Sequence, residues 1–382
     1  MKNIFLITGS RADYGVMKKL IKKFSKKKKF KLILTGSHLL SDYGNTIKEI
    51  RNDGFKINYK IKIKNSSDKA YQISKATGEG IKKFSYLFSH NRPDIVIVLG
   101  DRHEVLSAVI AAYFCKIPIA HIGGGDTTLG VIDEGTRHSI SKMSWLHFVN
   151  DETGKKRLLQ LGENPKYIFN TGSLGVESIK SVKIISHAVI EKKLNFKFKK
   201  KNILVTYHPV TLENNSSKKH MDHILSALKS LKDTQIIFTY PNNDINGRII
   251  IKMINKFIKN RKNSVAFPSL GQSLYISLLK KVDCVLGNSS SGIFEAPTLK
   301  IPTINIGDRQ KGRLFMKSVI NCKPNKKQIL KSIKKIYLSN FRKKIKFVKN
   351  VYEKKNTSMR IYNIINKIKL PKVIKKEFNL YE

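Results

Sequence analysis

Cysteine and tryptophan are scarce in this chain, at three and one in 382 residues. Cys115, Cys284 and Cys322 lie far apart and form no C-x-x-C pair, so neither a disulfide framework nor a cysteine zinc site is suggested. Cys115 and Cys284 fall in apolar runs and read as core residues. Long hydrophobic runs are missing as well. The longest, about residues 105–115, is well short of the ~20 residues that cross a bilayer. The first apolar run, 4–7, breaks at Gly9 and is too short for the apolar part of a signal peptide. A reducing cytoplasm and no membrane partner are therefore expected. Acidic residues are few, 27 against 74 Lys and Arg, for a formal net charge of +47. Yet only 12 of the basic residues are Arg, the side chain that forks onto phosphates and base edges. The lysines are spread over the whole length, for example at 26–29, 199–201, 280–281 and 375–376. Together with abundant Ile and Asn, they read as AT-rich codon usage and a solvated surface, not a nucleic-acid footprint. The excess charge would still draw in anionic substrates over long range.

What is present is a globular composition, 41% hydrophobic and 26% charged. The length suits two domains, each able to bury a core. Short apolar strands at 4–7, 31–35, 94–99 and 117–122 alternate with helical segments at 14–24 and 104–115. The run 94–99 is almost all Ile and Val, as in a strand buried on both faces. A second series of strands at 203–206, 235–239, 282–286 and 302–306, with helices near 219–231 and 292–298, follows a Lys-rich stretch at 187–201. Two βα series predict an α/β protein of two Rossmann-like, doubly wound domains. The ligand is expected in a cleft between them, at the carboxyl ends of the strands. The boundaries expected are 1–180, 181–350 and a basic, helical tail at 351–382.

Four strand ends carry chemistry. After the first strand, Gly9-Ser10-Arg11-Ala12-Asp13-Tyr14-Gly15 leads into a helix N-terminus that can present N–H groups to an anion, with Arg11 adding a forked contact. The same residues also make an ordinary strand–helix turn capped by Asp13. Gly100-Asp101-Arg102-His103-Glu104 puts an acid beside a base after the strand at 94–99; Asp101 could equally cap the next helix. His121-Ile122-Gly123-Gly124-Gly125-Asp126 follows another buried strand, with Asp133, Glu134, Arg137 and His138 close behind. Three glycines cost backbone entropy and make sense where a ligand approaches the main chain. Carboxylates gathered there suit acid–base work, although a solvated loop and charged helix face would look similar. Gly287-Asn288-Ser289-Ser290-Ser291-Gly292, with Glu295 one turn on, suits a diphosphate and a ribose at a helix start. A serine N-cap accounts for one or two of these serines but not the run. The loop at 308–313 adds cations, and His208 follows the strand at 203–206.

Together these motifs resemble the hydrolysing UDP-N-acetylglucosamine 2-epimerases of the sialic-acid pathway. The matching residues are TGSRADYG (8–15), GDRHE (100–104), IPIAHIGGGDTTLGVIDEGTRHSISKMSWLHF (117–148), QLGENP (160–165), YHPVT (207–211), YPNNDING (240–247), GNSSSGIFEAP (287–297) and INIGDRQKGR (304–313). They stand in the family's order over most of the chain. The resemblance implies a GT-B-like fold and conversion of UDP-GlcNAc to free N-acetylmannosamine and UDP. The C2 proton is removed, UDP leaves C1 to give a glycal, and water adds with C2 reprotonated on the opposite face. By position, Asp101, Asp126 and Asp133 handle protons at C2 and activate water, while His208 holds the diphosphate or protonates the leaving group. Arg11, Arg102, Ser289, Ser290, Glu295 and Arg309 would bind UDP, with Asn242 and Tyr275 as further nucleotide contacts. No metal and no cofactor are implied. A homo-oligomer, dimer or tetramer, is expected.

One departure bears on the substrate. Members acting on UDP-GlcNAc usually carry His-Gly-Gly-Glu where this chain has Gly123-Gly124-Gly125-Asp126. Losing the His side chain and one methylene enlarges the pocket, which suits a sugar bulkier at C4 such as UDP-N,N′-diacetylbacillosamine, used for legionaminic-type acids. Two rivals predict different behaviour. A glycosyltransferase of the same fold would not need the packed carboxylates at 126–134. A nucleic-acid-binding protein would show salt-sensitive binding.

Overall fold

The computed structural model describes residues 1–40, 46–63, 69–213, 216–241 and 246–381. It divides into two compact units. The first comprises Met1–Thr127, Ile132–Ser178 and Tyr352–Glu382, the second Thr128–Val131 and Ile179–Val351.

The first unit is built on β1 (Ile4–Thr8), β2 (Phe30–Leu34), β3 (Tyr59–Lys60), β4 (Ile95–Leu99), β5 (Ile119–Ile122), β6 (Leu146–Val149) and β7 (Ile168–Asn170). Among the described residues they form one parallel sheet in the order β3-β2-β1-β4-β5-β6-β7. Both faces are covered, which is why these strands read as continuous apolar runs. Side chains alternate between the two sides: Ile4 and Leu6 pack into one core cluster, Phe5 and Ile7 into another. Helix Arg11–Phe24 buries Tyr14, Met17, Leu20, Ile21 and Phe24 at helical spacing.

The second unit repeats the plan with β8 (Lys201–Thr206), β9 (Thr234–Thr239), β10 (Ser264–Phe267), β11 (Cys284–Gly287), β12 (Thr303–Ile306) and β13 (Val319–Cys322). Their order is β10-β9-β8-β11-β12-β13, again parallel. In each sheet the strand order reverses once, between β1 and β4 and between β8 and β11. Such switch points are where doubly wound sheets bind ligands.

The chain crosses between units in two places that sequence reading did not anticipate. Residues 128–131 belong to the second unit, where Leu129 N–H donates to the Lys311 carbonyl at 3.2 Å and Gly130 lies against Arg309 and Val210. The C-terminal stretch, expected as a separate basic tail, instead forms part of the first unit. Its helix Thr357–Lys367 packs Ile361 and Ile365 into the core, with Tyr362 5.0 Å from the Phe24 ring. No helix among the described residues is long and apolar enough to cross a membrane.

Candidate active site

All four motif segments leave the carboxyl ends of strands at the switch points or one strand away. Gly9–Asp13 follows β1, Gly100–Glu104 follows β4, Gly123–Asp126 follows β5. In the second unit Tyr207–His208 follows β8, Gly287–Ser291 follows β11 and Asp308–Gln310 follows β12.

In the first unit one guanidinium gathers the acidic groups. Arg137, 2% exposed on helix Asp133–Met143, donates to Asp101 Oδ2, to Glu134 Oε2 at 2.7 Å and to the Asp126 carbonyl at 3.0 Å. Burial pulls its pKa down, but Asp101, Asp126 and Glu134 outweigh burial and hold it above its usual value. The Asp126 carboxylate, 6% exposed, accepts from Asn150 Nδ2 at 3.0 Å. Asp133 opens the same helix and is partly exposed. Asp101, Asp126 and the first turn of the helix carrying Asp133 are thus brought together. Arg137, Glu134 and Asn150 belong to this constellation as well. Arg137 and Glu134 were visible in the motif but carried no sign of being its hub; Asn150 had no signal.

His121 fixes the turn that carries Asp101. Its ring is fully buried, with Nε2 2.8 Å from the Gly100 carbonyl and Nδ1 3.1 Å from Ser141 Oγ. Since a carbonyl only accepts, Nε2 carries the hydrogen and Nδ1 accepts from Ser141. Burial pushes its pKa down to about 3, keeping it neutral. Asp101 does not cap the following helix; Arg102 is its N-cap residue. Arg102 Nε instead donates to Glu104 Oε1 at 2.8 Å. Burial raises the Glu104 pKa, yet Arg102, His103 and hydrogen bonds prevail and hold it at about 2.

The glycine run has a different cause from the one the sequence suggested. A Cβ on Gly125 would sit 2.2 Å from the Gly154 carbonyl oxygen, and one on Gly124 2.8 Å from Ser141 Oγ. The protein itself crowds both positions. Gly123 alone has room: at φ +83 its Cβ would meet only Asn150 Nδ2, at 3.9 Å.

At the β1 end, the cap of helix Arg11–Phe24 is Ser10, not Asp13: Ser10 Oγ accepts from Asp13 N–H at 3.2 Å. Arg11 is paired with Glu49 at 2.7 Å. Asp13 Oδ2 is buried without a hydrogen-bond partner, and burial raises its pKa to about 6 against the pull of Arg102.

In the second unit Asn288, fully buried, brackets two loops. Its side chain accepts from His208 N–H at 2.7 Å and donates to the His208 carbonyl at 2.8 Å. Its own carbonyl accepts from Arg309 Nη1 at 3.2 Å and Gln310 Nε2 at 2.8 Å. His208 and Arg309 are thereby set beside the serine run. The N–H groups of Gly292 and Ile293 already bond the carbonyls of Ser289 and Ser290 at 3.1 and 2.9 Å. What this turn can offer a ligand is therefore chiefly its hydroxyls. Ser290 is the N-cap residue and is exposed, without a side-chain capping bond; Ser289 Oγ accepts from Ser291 N–H at 3.3 Å. Tyr275 donates to Ser291 Oγ at 2.7 Å and braces the helix start. Burial raises the pKa of Glu295, whose Oε2 is buried without a hydrogen-bond partner. Asn242 lies outside the described residues. Among those described, no group of three His, Cys, Asp or Glu side chains is placed to hold a metal ion.

The family model described as UDP-N-acetylglucosamine 2-epimerase matches residues 22–366. A GDP/UDP-N,N'-diacetylbacillosamine 2-epimerase (hydrolyzing) from Campylobacter jejuni is 41% identical over 327 residues, 85% of either chain. The polysialic acid biosynthesis protein P7 of Escherichia coli is 38% identical over 368 residues, 96% of this chain and 94% of that one. Among solved structures, a UDP-GlcNAc 2-epimerase from Neisseria meningitidis bound to UDP-GlcNAc aligns with a TM-score of 0.81 at 21% identity, covering 96% of this chain and 100% of that one. That likeness is one of fold, and the two Rossmann-like units are of this GT-B-like class.

Proposed function

The chain belongs to the UDP-N-acetylglucosamine 2-epimerase family, and we propose that it is a hydrolysing member releasing a free 2-epimerised sugar and UDP. The observation that carries this reading is the buried guanidinium of Arg137, which draws Asp101, Glu134 and the Asp126 backbone together at the carboxyl end of the first sheet. A C2–H bond next to no carbonyl is a poor acid. Its removal has to be coupled to departure of the nucleotide, so the site needs bases near the sugar and fixed donors near the diphosphate. Asp101, Asp126 and Asp133 supply the first. His208, Arg309, Ser289 and Ser290, bracketed by Asn288, supply the second; Arg11, Arg102, Tyr275, Asn242 and Glu295 complete the nucleotide contacts. After UDP leaves, one carboxylate activates water for addition at C1 while another returns a proton to C2 from the opposite face. A glycosyltransferase would have no use for the clustered carboxylates.

For the sugar, the reading favoured is a substrate bearing a 4-acetamido group, such as UDP-N,N′-diacetylbacillosamine. Gly123 has room around it, Asp126 is one methylene shorter than glutamate, and the C. jejuni relative is named for that sugar. Conversion of UDP-GlcNAc to N-acetylmannosamine for sialic-type acids is the second reading; the E. coli relative, named for polysialic acid biosynthesis, favours it. Turnover of the two sugars, each as its UDP and GDP form, separates them. A kcat/KM at least about tenfold higher for the 4-acetamido substrate is expected, the scale on which a pocket discriminates a small group. A preference for UDP-GlcNAc would overturn the assignment of the sugar.

A further inference from the structure

Glu163, within the QLGENP motif, has no part in the reaction proposed above, yet it is a carboxylate only 1% exposed. Three groups hold it. His147 Nε2 lies 2.9 Å away, Lys142 Nζ 3.2 Å, and Lys376 Nζ 2.6 and 2.8 Å from its two oxygens. Lys376 comes from the C-terminal segment, and its ammonium makes two further bonds, to the carbonyls of Lys142 and Ser144, both at 2.6 Å. Those carbonyls lie at the end of helix Asp133–Met143, where the last turn has no helical donors of its own. A cation there also complements the helix dipole.

Neighbours of Lys376 fasten the same segment. A Cβ on Gly162, at φ +76, would meet Phe378 ring atoms at 2.9 Å, so only glycine lets the ring lie on this turn. The Asn379 backbone N–H donates to the Gly162 carbonyl at 3.1 Å, and Tyr381 OH to the Glu163 carbonyl at 3.3 Å. Lys142 Nζ stands 4.4 Å from the centre of the Phe378 ring.

Buried polar groups continue from Glu163 toward the carboxylates. His147 on β6 is in register with His121 on β5, so both rings project from the same face of adjacent strands. Both are fully buried. His121 in turn donates to the carbonyl of Gly100, the residue before Asp101.

We propose that Lys376 is a positioning residue for the carboxylate cluster: it clamps the far end of the helix that opens with Asp133, and through Glu163, His147 and His121 it steadies the Gly100–Asp101 turn. This rests on Asp101 and Asp133 being the groups that handle protons. The C-terminal segment is then a working part of the first unit, and the QLGENP motif is its receptor.

The test uses the full-length protein with Lys376→Met and Lys376→Arg, read by hydrogen exchange and by kinetics. In Lys376→Met, amides of 100–104 and 133–143 should exchange about tenfold faster or more, the scale of one lost hydrogen bond to a charged group. Amides of 201–206 and 284–287 should be unaltered, and Lys376→Arg should stay near wild type. Turnover should show kcat reduced about tenfold at nearly constant KM, as for a loss confined to the transition state. Wild-type exchange at 100–104 and 133–143 would overturn the proposal. So would a rise shared evenly by both units, which means lost stability only, or a raised KM at constant kcat. Exchange does not depend on turnover, so a wild-type protein releasing no free sugar would sink the functional reading while the clamp is still judged on its own.

Discussion

Arg137 is the residue whose loss should be felt most in the first unit. Removing a buried cation from carboxylates typically costs 3–5 kcal/mol because the partners are left uncompensated. Arg137→Met should therefore lower stability on about that scale in urea titration and reduce kcat by about a hundredfold or more, the size of a general acid–base contribution. Retention of wild-type kcat would show that the gathered carboxylates are not the reacting groups. Gly123 predicts the opposite kind of outcome. It is the one glycine of its run with open space, so Gly123→His should fold with a cost of about 1–2 kcal/mol for the left-handed backbone. It should move the ratio of kcat/KM toward UDP-GlcNAc by about tenfold or more. An unchanged ratio, measured with both substrates, would remove Gly123 from substrate choice.

Individual elements explain what could be read from sequence and what could not. β1, β4, β5, β8 and β11 are central strands buried on both sides, so they appear as apolar runs; the residues directly after β1, β4, β8 and β11 sit at the switch points by topology, and those after β5 one strand away. That is why Asp101, Asp126, His208 and the serine run were identifiable. β3 and β7, with two and three residues, are too short to carry a period, and their places at the sheet edges come from tertiary packing. Arg137 was hidden for a related reason: nothing local distinguishes a buried arginine on a polar helix from a surface one. The reason for Gly124 and Gly125 was equally invisible, since the atoms that crowd them belong to Ser141 and Gly154. Asn288 shows how much one such residue can tie together. Asn288→Ala would orphan the His208 N–H and carbonyl, at about 1–3 kcal/mol for each unsatisfied group. Calorimetric titration should find UDP binding weakened by about tenfold or more, since the cost falls on the loops set to hold it. Unaltered affinity would show that the bracket only supports the fold.

Across the molecule, acid should act through three buried imidazoles in the first unit. Burial depresses His38 to about 4 and His121 to about 3, and lowers His147 as well. Folded values below the ordinary 6.5 mean that the unfolded chain binds more protons as pH drops through 6.5. Stability contributed by these groups is thus full above about pH 6.5 and lost progressively toward pH 3–4. Asp13 opposes this, because a carboxyl raised to about 6 adds stability below its unfolded value that disappears as pH rises through 6. In the second unit burial lowers His220 and raises Glu295, one group of either sign, so four imidazoles against two carboxyls predict a net fall of the urea midpoint from pH 7 to pH 5. A flat profile would mean that the imidazoles are not held neutral.

The most direct test of the whole account is proton NMR of the enzyme in D₂O with UDP-N,N′-diacetylbacillosamine, and with UDP-GlcNAc alongside. A hydrolysing epimerase must exchange the C2 hydrogen with solvent once per turnover and release the nucleotide. Free sugar of inverted C2 configuration, deuterated at C2, should appear together with UDP. Unchanged nucleotide sugars in both samples, or free sugar that keeps its C2 proton and configuration, would contradict it.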